Sequence, residues 1–184
     1  LFFDITVYFF FFLMIRAPPR STHCISSAAS DVYKRQVIKV WEYAIEKGGW
    51  QDFPLDKIPF TLLIPTERNL VEHTRMVTRM AMAVARERGD VNMDFIIAGG
   101  LLHDVAKLLE FEHRDGKAVK SEFGKRIRHP VAGAMLAEKF DLPYQIAHII
   151  AAHSKEGEFV TRIPEAVIIH HCDFIDFHIE KGKL

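Results

Sequence analysis

His103, Asp104 and Lys107 stand in the middle of GGLLHDVAKLLEF, residues 99–111, a stretch that is otherwise almost entirely apolar. The pattern predicts a helix over residues 93–110. Successive helical residues turn by about 100°, so these three fall within roughly 100° of one another and form one polar stripe. Phe95, Ile96, Ile97, Leu101, Leu102, Val105, Leu108 and Leu109 cover the other directions, as on a central helix packed nearly all round. A buried carboxylate and imidazole left unpaired would cost several kcal/mol, so the stripe must meet compensating charge or a metal. On this helix alone, an internal ion pair between Asp104 and Lys107 beside a satisfied core histidine explains the stripe equally well.

Other ionisable groups sit where burial is expected. His73, in NLVEHTRMV, lies three residues after Leu70 and four before Val77, on the apolar face of its helix. His129 opens the helix HPVAGAMLA, in which Ala132, Gly133 and Ala134 allow another backbone to come close. His153 ends YQIAHIIAAH, and Asp173 lies within AVIIHHCDFIDF. Any one of these alone is most simply structural. Four histidines and two aspartates on separate elements or helix ends have a common explanation if they converge on one place.

This ordered set resembles the HD-domain superfamily of metal-dependent phosphohydrolases. The resemblance covers residues 68–179 and rests on EHTRMV, LLHDVAK, HPVAGAML, AAHS and HHCDFI. An HD pair alone is weak, whereas the order and separation of all the motifs is specific. The resemblance implies that His73, His103, Asp104 and Asp173 bind one metal, and that Asp104 bridges to a second held by His129 and His153. Simpler one-metal members lack the middle two histidines, so their presence here implies a dinuclear site. No GYP tripeptide follows His153, which sets the chain apart from the cyclic-di-GMP-specific branch.

Mixed imidazole and carboxylate ligands suit iron or manganese first, with magnesium, cobalt, nickel or zinc as further candidates; the lack of thiolates argues against structural zinc. Two divalent ions, two aspartates and a bridging hydroxide leave a net charge near +1, which attracts a phosphate ester, with in-line attack by the hydroxide. Asp104 and Lys107 are the expected catalytic residues, Lys107 meeting the charge that develops on phosphate. Arg114, Lys117, Lys120, Lys125, Arg126 and Arg128 could make the loop 113–128 a basic lid over an anionic substrate, although a solvated charged loop is the simpler reading for most of them. His170, three residues before Asp173, is expected to support the site or offer an alternative ligand. The expected activity is a phosphomonoesterase or phosphodiesterase acting on a small phosphorylated substrate, a nucleotide above all. The alternatives are an HD-type diiron oxygenase and a non-catalytic HD signalling module.

The elements that must position these residues read as all-α from residue 37 onward, a helical bundle with the dinuclear site at its centre. VIKVWEYAIEKGGW gives a short helix stopped by Gly48 and Gly49, and Thr66 is expected to cap the next helix, which ends at Gly89. The loop 113–128 carries no expected strand or hairpin. Pro130, Pro143 and Pro164 mark the starts of three further helices.

The chain of 184 residues has 24 basic and 24 acidic side chains and ten histidines, so no global field recruits DNA or an anionic membrane. Cys24 and Cys172 give no disulfide framework, and a reducing cytoplasm is the expected setting. Residues 1–36 differ in composition from the rest. Their apolar run is shorter than the roughly 18 residues a spanning helix needs, and FFFFLMIRAPPRST and SSAASDVYKRQ resemble translated sequencing-adapter read-through. The segment is therefore expected to be non-native or disordered, with residues 37–184 forming the HD domain.

Overall fold

The computed structural model describes residues 33–183, so the expectation for the terminal segment lies, over residues 1–32, outside the described residues. Helix α1 (Lys34–Lys47) starts at Lys34 rather than Val37. It buries Val37, Val40, Trp41 and Ala44, and the chain turns at Gly49, whose φ of 75° is open to glycine at little cost. Two indoles tie this region to the centre. Trp41 Nε1 donates to the Leu101 carbonyl at 3.1 Å and Trp50 Nε1 to that of Leu108 at 2.7 Å.

Helix α2 (Leu70–Arg88) begins with a capping box: the Asn69 side chain accepts from Glu72 N, and the Glu72 carboxylate accepts from Asn69 N. The cap is therefore Asn69, not Thr66. The Thr66 hydroxyl instead accepts from Arg68 N at 3.0 Å, which holds the turn leading into the helix. As expected, the helix ends at Gly89 in the left-handed region.

The expected single helix over 93–110 is two pieces. Helix α3 (Met93–Leu102) is capped by Asn92, and a short helix α4 (Lys107–Glu110) follows. Between them the hydrogen bonds tighten to three-residue spacing: Val105 N to Leu102 O, Lys107 N to Asp104 O and Leu108 N to Val105 O. The break explains the stripe differently from a continuous wheel, because His103 and Asp104 sit at a helix end. There the last carbonyls have no partner within the helix and accept from side chains.

The stretch Phe111–Arg114 (β1) pairs antiparallel with Lys117–Lys120 (β2), with Phe111 opposite Lys120 and Arg114 opposite Lys117. This hairpin corrects the all-loop expectation. Asp115 and Gly116, with φ of 52° and 75°, form the two-residue turn whose twist suits a hairpin. Helices α5 (His129–Lys139), α6 (Tyr144–Ala152) and α7 (Pro164–Gly182) complete an otherwise helical fold. Pro130 and Pro164 sit in first turns, and Pro143 immediately precedes α6.

Central α3 is packed by α2, α6 and α7, with buried Ile96, Ile97, Leu101 and Leu102 on its flanks. A Cβ at Gly99 would lie 2.7 Å from Ile149 Cγ2, and one at Gly133 would lie 2.6 Å from Ile150 Cγ2. These glycines set how closely α3 and α5 approach α6. None of the helices among the described residues is long and apolar enough to cross a membrane.

Candidate metal centre

The six predicted ligands converge. His73 comes from the first turn of α2, His103 and Asp104 from the end of α3, His129 from the start of α5, His153 from the end of α6, and Asp173 from the middle of α7. His73, His103, Asp104, His129 and His153 are buried, while the Asp173 side chain keeps 15% exposure.

Asp104 divides the set. Its Oδ2 lies 3.3 Å from His73 Nε2 and 3.5 Å from His103 Nε2, while its Oδ1 lies 3.2 Å from His129 Nε2 and 3.5 Å from His153 Nε2. Asp173 Oδ1 is 3.0 Å from His73 Nε2. Two groups have the compactness to hold a metal ion: His73, His103, Asp104 and Asp173, and Asp104, His129 and His153.

The far side of each ring is tied down. His73 Nδ1 donates to Asp176 at 2.7 Å, and His129 Nδ1 to Glu110 at 2.6 Å. His103 and His153 each follow a helix end, and their Nδ1 atoms donate to the carbonyls of Gly100 and Ile150, both at 2.7 Å. With Nδ1 tied back in this way, Nε2 of each ring faces the centre, the arrangement that orients metal-binding histidines. Asp104 Oδ1 and His153 Nε2 are buried with no hydrogen-bond partner. Unsatisfied buried acceptors of this kind call for a cation. Donor chemistry and geometry fit divalent metal.

Charges follow the same layout. Burial would pull His73 down, yet hydrogen bonds to Asp104, Asp173 and Asp176 push it up to about 10. Burial raises Asp104, but Lys107 and then His103 outweigh it and hold the carboxyl well below its ordinary range. Asp173 is likewise held low, against burial, by its bond with His73. Burial pulls His129 down to about 4, so the ring is neutral at pH 7. Glu110, against burial, is held at about 2 by His129 and Arg128.

Lys107 Nζ contacts Asp104 Oδ2 at 2.5 Å and lies 5.7 Å from the centre of the Phe60 ring, which stacks on His73 at 4.5 Å. The internal pair considered from the sequence therefore exists inside the convergent cluster, not in place of it. Four of the six basic side chains of 113–128 have carboxylate partners: Lys120 and Arg128 both face Glu110 at 3.3 Å, Arg114 pairs with Glu112, and Lys125 pairs with Glu122. Their charge is largely met by neighbouring carboxylates. His170 points Nδ1 at the His153 carbonyl at 2.6 Å and so supports that residue's backbone.

Sequence reasoning missed Glu110, Asp176, Arg68 and Arg162. Asp176 stands one turn after Asp173, and Glu110 one turn after Lys107, so helical spacing carried a signal for both. Arg68 reaches Glu180 at 2.9 Å and Asp176 at 3.6 Å, while Arg162 donates to the carbonyls of Ala152 and Ser154 on either side of His153. Nothing in the local sequence reveals those long reaches.

Residues 70–177 match the model of the HD domain. The chain belongs to the HD-domain family. It is 31% identical over 121 residues to the dihydroneopterin 2′,3′-cyclic phosphate phosphodiesterase of Methanocaldococcus jannaschii, an alignment covering 61% of this chain and 48% of that protein. It is 33% identical over 106 residues to Ribonuclease Y of Thermosipho melanesiensis and 34% over 106 residues to that of Thermotoga petrophila, in each case covering 58% of this chain and 18% of the relative. The HD domain here thus spans about half or less of the curated relatives it matches. No solved structure matches it. At the level of the family, these likenesses support a metal-dependent phosphohydrolase with a His and Asp cluster able to hold divalent metal.

Proposed function

We propose that this HD domain is a two-metal phosphohydrolase of a small phosphorylated substrate, with a nucleotide-like phosphodiester as the first class to test. The observation that carries the reading is the division of Asp104, one oxygen toward His73 and His103 and the other toward His129 and His153. In this reading His73, His103, Asp104 and Asp173 hold one ion, and Asp104, His129 and His153 hold the second. Iron or manganese suits the nitrogen and oxygen donors. When bound, the ions supply positive charge for the phosphoryl oxygens and lower the pKa of a water for in-line attack.

The chain's own groups do the positioning. Asp104 fixes the spacing of the two sets of ligands. Lys107, held beside Asp104 and against Phe60, is the cation nearest the reacting phosphate and stabilises charge there. Asp173 is the most exposed of the six and faces His73 at 3.0 Å. Two of the relatives' names, a cyclic phosphate phosphodiesterase and a ribonuclease, favour a diester over a monoester. The cytoplasm is the proposed setting, with Cys172 a buried free thiol pushed up to about 11, first by burial and then by Asp173.

The test is cleavage of 2′,3′-cyclic nucleotides, bis(p-nitrophenyl) phosphate and p-nitrophenyl phosphate by protein loaded with manganese or iron. Metal-dependent cleavage that chelation removes and Asp104→Ala lacks supports the proposal. Absence of cleavage of every ester by fully loaded protein overturns it.

A further inference from the structure

Glu110 ends α4 and is 4% exposed, yet it belongs to neither group able to hold a metal. Its Oε2 accepts from both the backbone N and the ring Nδ1 of His129, at 2.7 and 2.6 Å. Its Oε1 faces Lys120 Nζ and Arg128 Nε, both at 3.3 Å. The residue's backbone is held as firmly. The Glu110 carbonyl accepts from Ser121 N at 2.9 Å and Ser121 Oγ at 3.1 Å, and a Cβ on Gly124 would lie 2.1 Å from that oxygen. Hairpin, α4 and the start of α5 therefore meet at one carboxylate.

The two candidate metal positions differ in what they have to hold an ion. The first has two histidines and two aspartates, whereas the second has two histidines and shares the Asp104 carboxylate. His153 rests on a neutral carbonyl, so Glu110 is the one anion behind a histidine of the second position. A carboxylate on the far nitrogen fixes the ring's tautomer and orientation and makes the near nitrogen a better donor to metal.

We infer that Glu110 is the positioning residue of the second metal position, aiming His129 Nε2 at the centre, and that the segment after β1 holds Glu110 in place. The inference rests on the two-metal reading. It also gives the hairpin a purpose beyond a surface excursion: Lys120 and Arg128 neutralise the buried carboxylate without competing for the oxygen that His129 uses.

The test titrates manganese into the metal-free full chain, counting bound ions by electron paramagnetic resonance. Wild type should bind two per chain. Glu110→Gln and Glu110→Asp should each keep one position at wild-type affinity and weaken the other by about 10- to 100-fold. Asp176→Asn, behind His73, should spare the position that Glu110→Gln loses. Equal weakening of both positions, or wild-type binding by both Glu110 variants, overturns the inference. If Glu110→Gln fails to fold, Glu110→Asp decides; failure of both to fold while metal-free wild type folds also overturns it, by making Glu110 a structural requirement. A wild type that binds one manganese defeats the two-metal reading itself, and is recognised before any variant is made.

Discussion

His129 meets Asp104 through Oδ1 at 3.2 Å, on the opposite oxygen from the one His73 meets at 3.3 Å. A single buried carboxylate thereby serves two sets of nitrogen donors. Its removal should affect both. Asp104→Ala is expected to lose most of both metals and all activity, whereas His129→Ala should retain the ion held with His73. Metal content per chain by elemental analysis checks this, and retention of two ions by Asp104→Ala would rule out the bridge.

Metal binding should depend on pH with a definite sign. In the metal-free protein His73 is raised to about 10 by its three carboxylate neighbours, so below that value the ring is protonated. Binding an ion through Nε2 requires that proton to leave. Affinity at this position should therefore rise with pH, by about tenfold per unit below 10, with one proton released. Calorimetric titration in buffers of different ionisation enthalpy measures the release. Affinity flat from pH 6 to 9, with no proton released, would show that binding displaces no proton from His73.

Lys107 touches Asp104 and lies against Phe60. As the group that meets charge on phosphate, its replacement by alanine should lower turnover by roughly 10² to 10³ while metal content stays intact. A variant with full turnover would reduce Lys107 to a partner of Asp104.

Much of the candidate centre was legible because histidine and aspartate in apolar helices and at helix ends stand out, and because their order resembles that of the HD superfamily. Asp104 is a charged residue among Leu101, Leu102 and Val105, and burial of charge implies a partner whatever the fold. The supporting layer was legible only in the helical spacing of Asp176 and Glu110, and its partners were not. Arg68 to Glu180 and Glu110 to His129 join elements distant in sequence, and only packing brings them together. The hairpin had a local signal, Asp115-Gly116, which the expectation of no Asp-Gly turn and a polar, basic loop overlooked. The break after Leu102 escaped because apolar periodicity runs through it; only the change in hydrogen-bond spacing marks it.

The start of α2 offers a test independent of metal. Asn69 closes a capping box with Glu72, while Thr66 braces the preceding turn. Asn69→Ala should cost about 1 kcal/mol of stability, with metal content unchanged. Denaturant unfolding measures it, and a larger loss on Thr66→Ala than on Asn69→Ala would contradict the assignment of the cap.

The central claim is hydrolysis by water held between two metals, and the same ligands could instead serve iron and dioxygen. The direct measurement is phosphodiester cleavage by the manganese-loaded protein under strict anaerobiosis. The account predicts robust turnover, undiminished by the removal of oxygen. No cleavage without oxygen, together with oxygen-dependent product formation by the iron-loaded protein alone, would contradict it in favour of a diiron oxygenase.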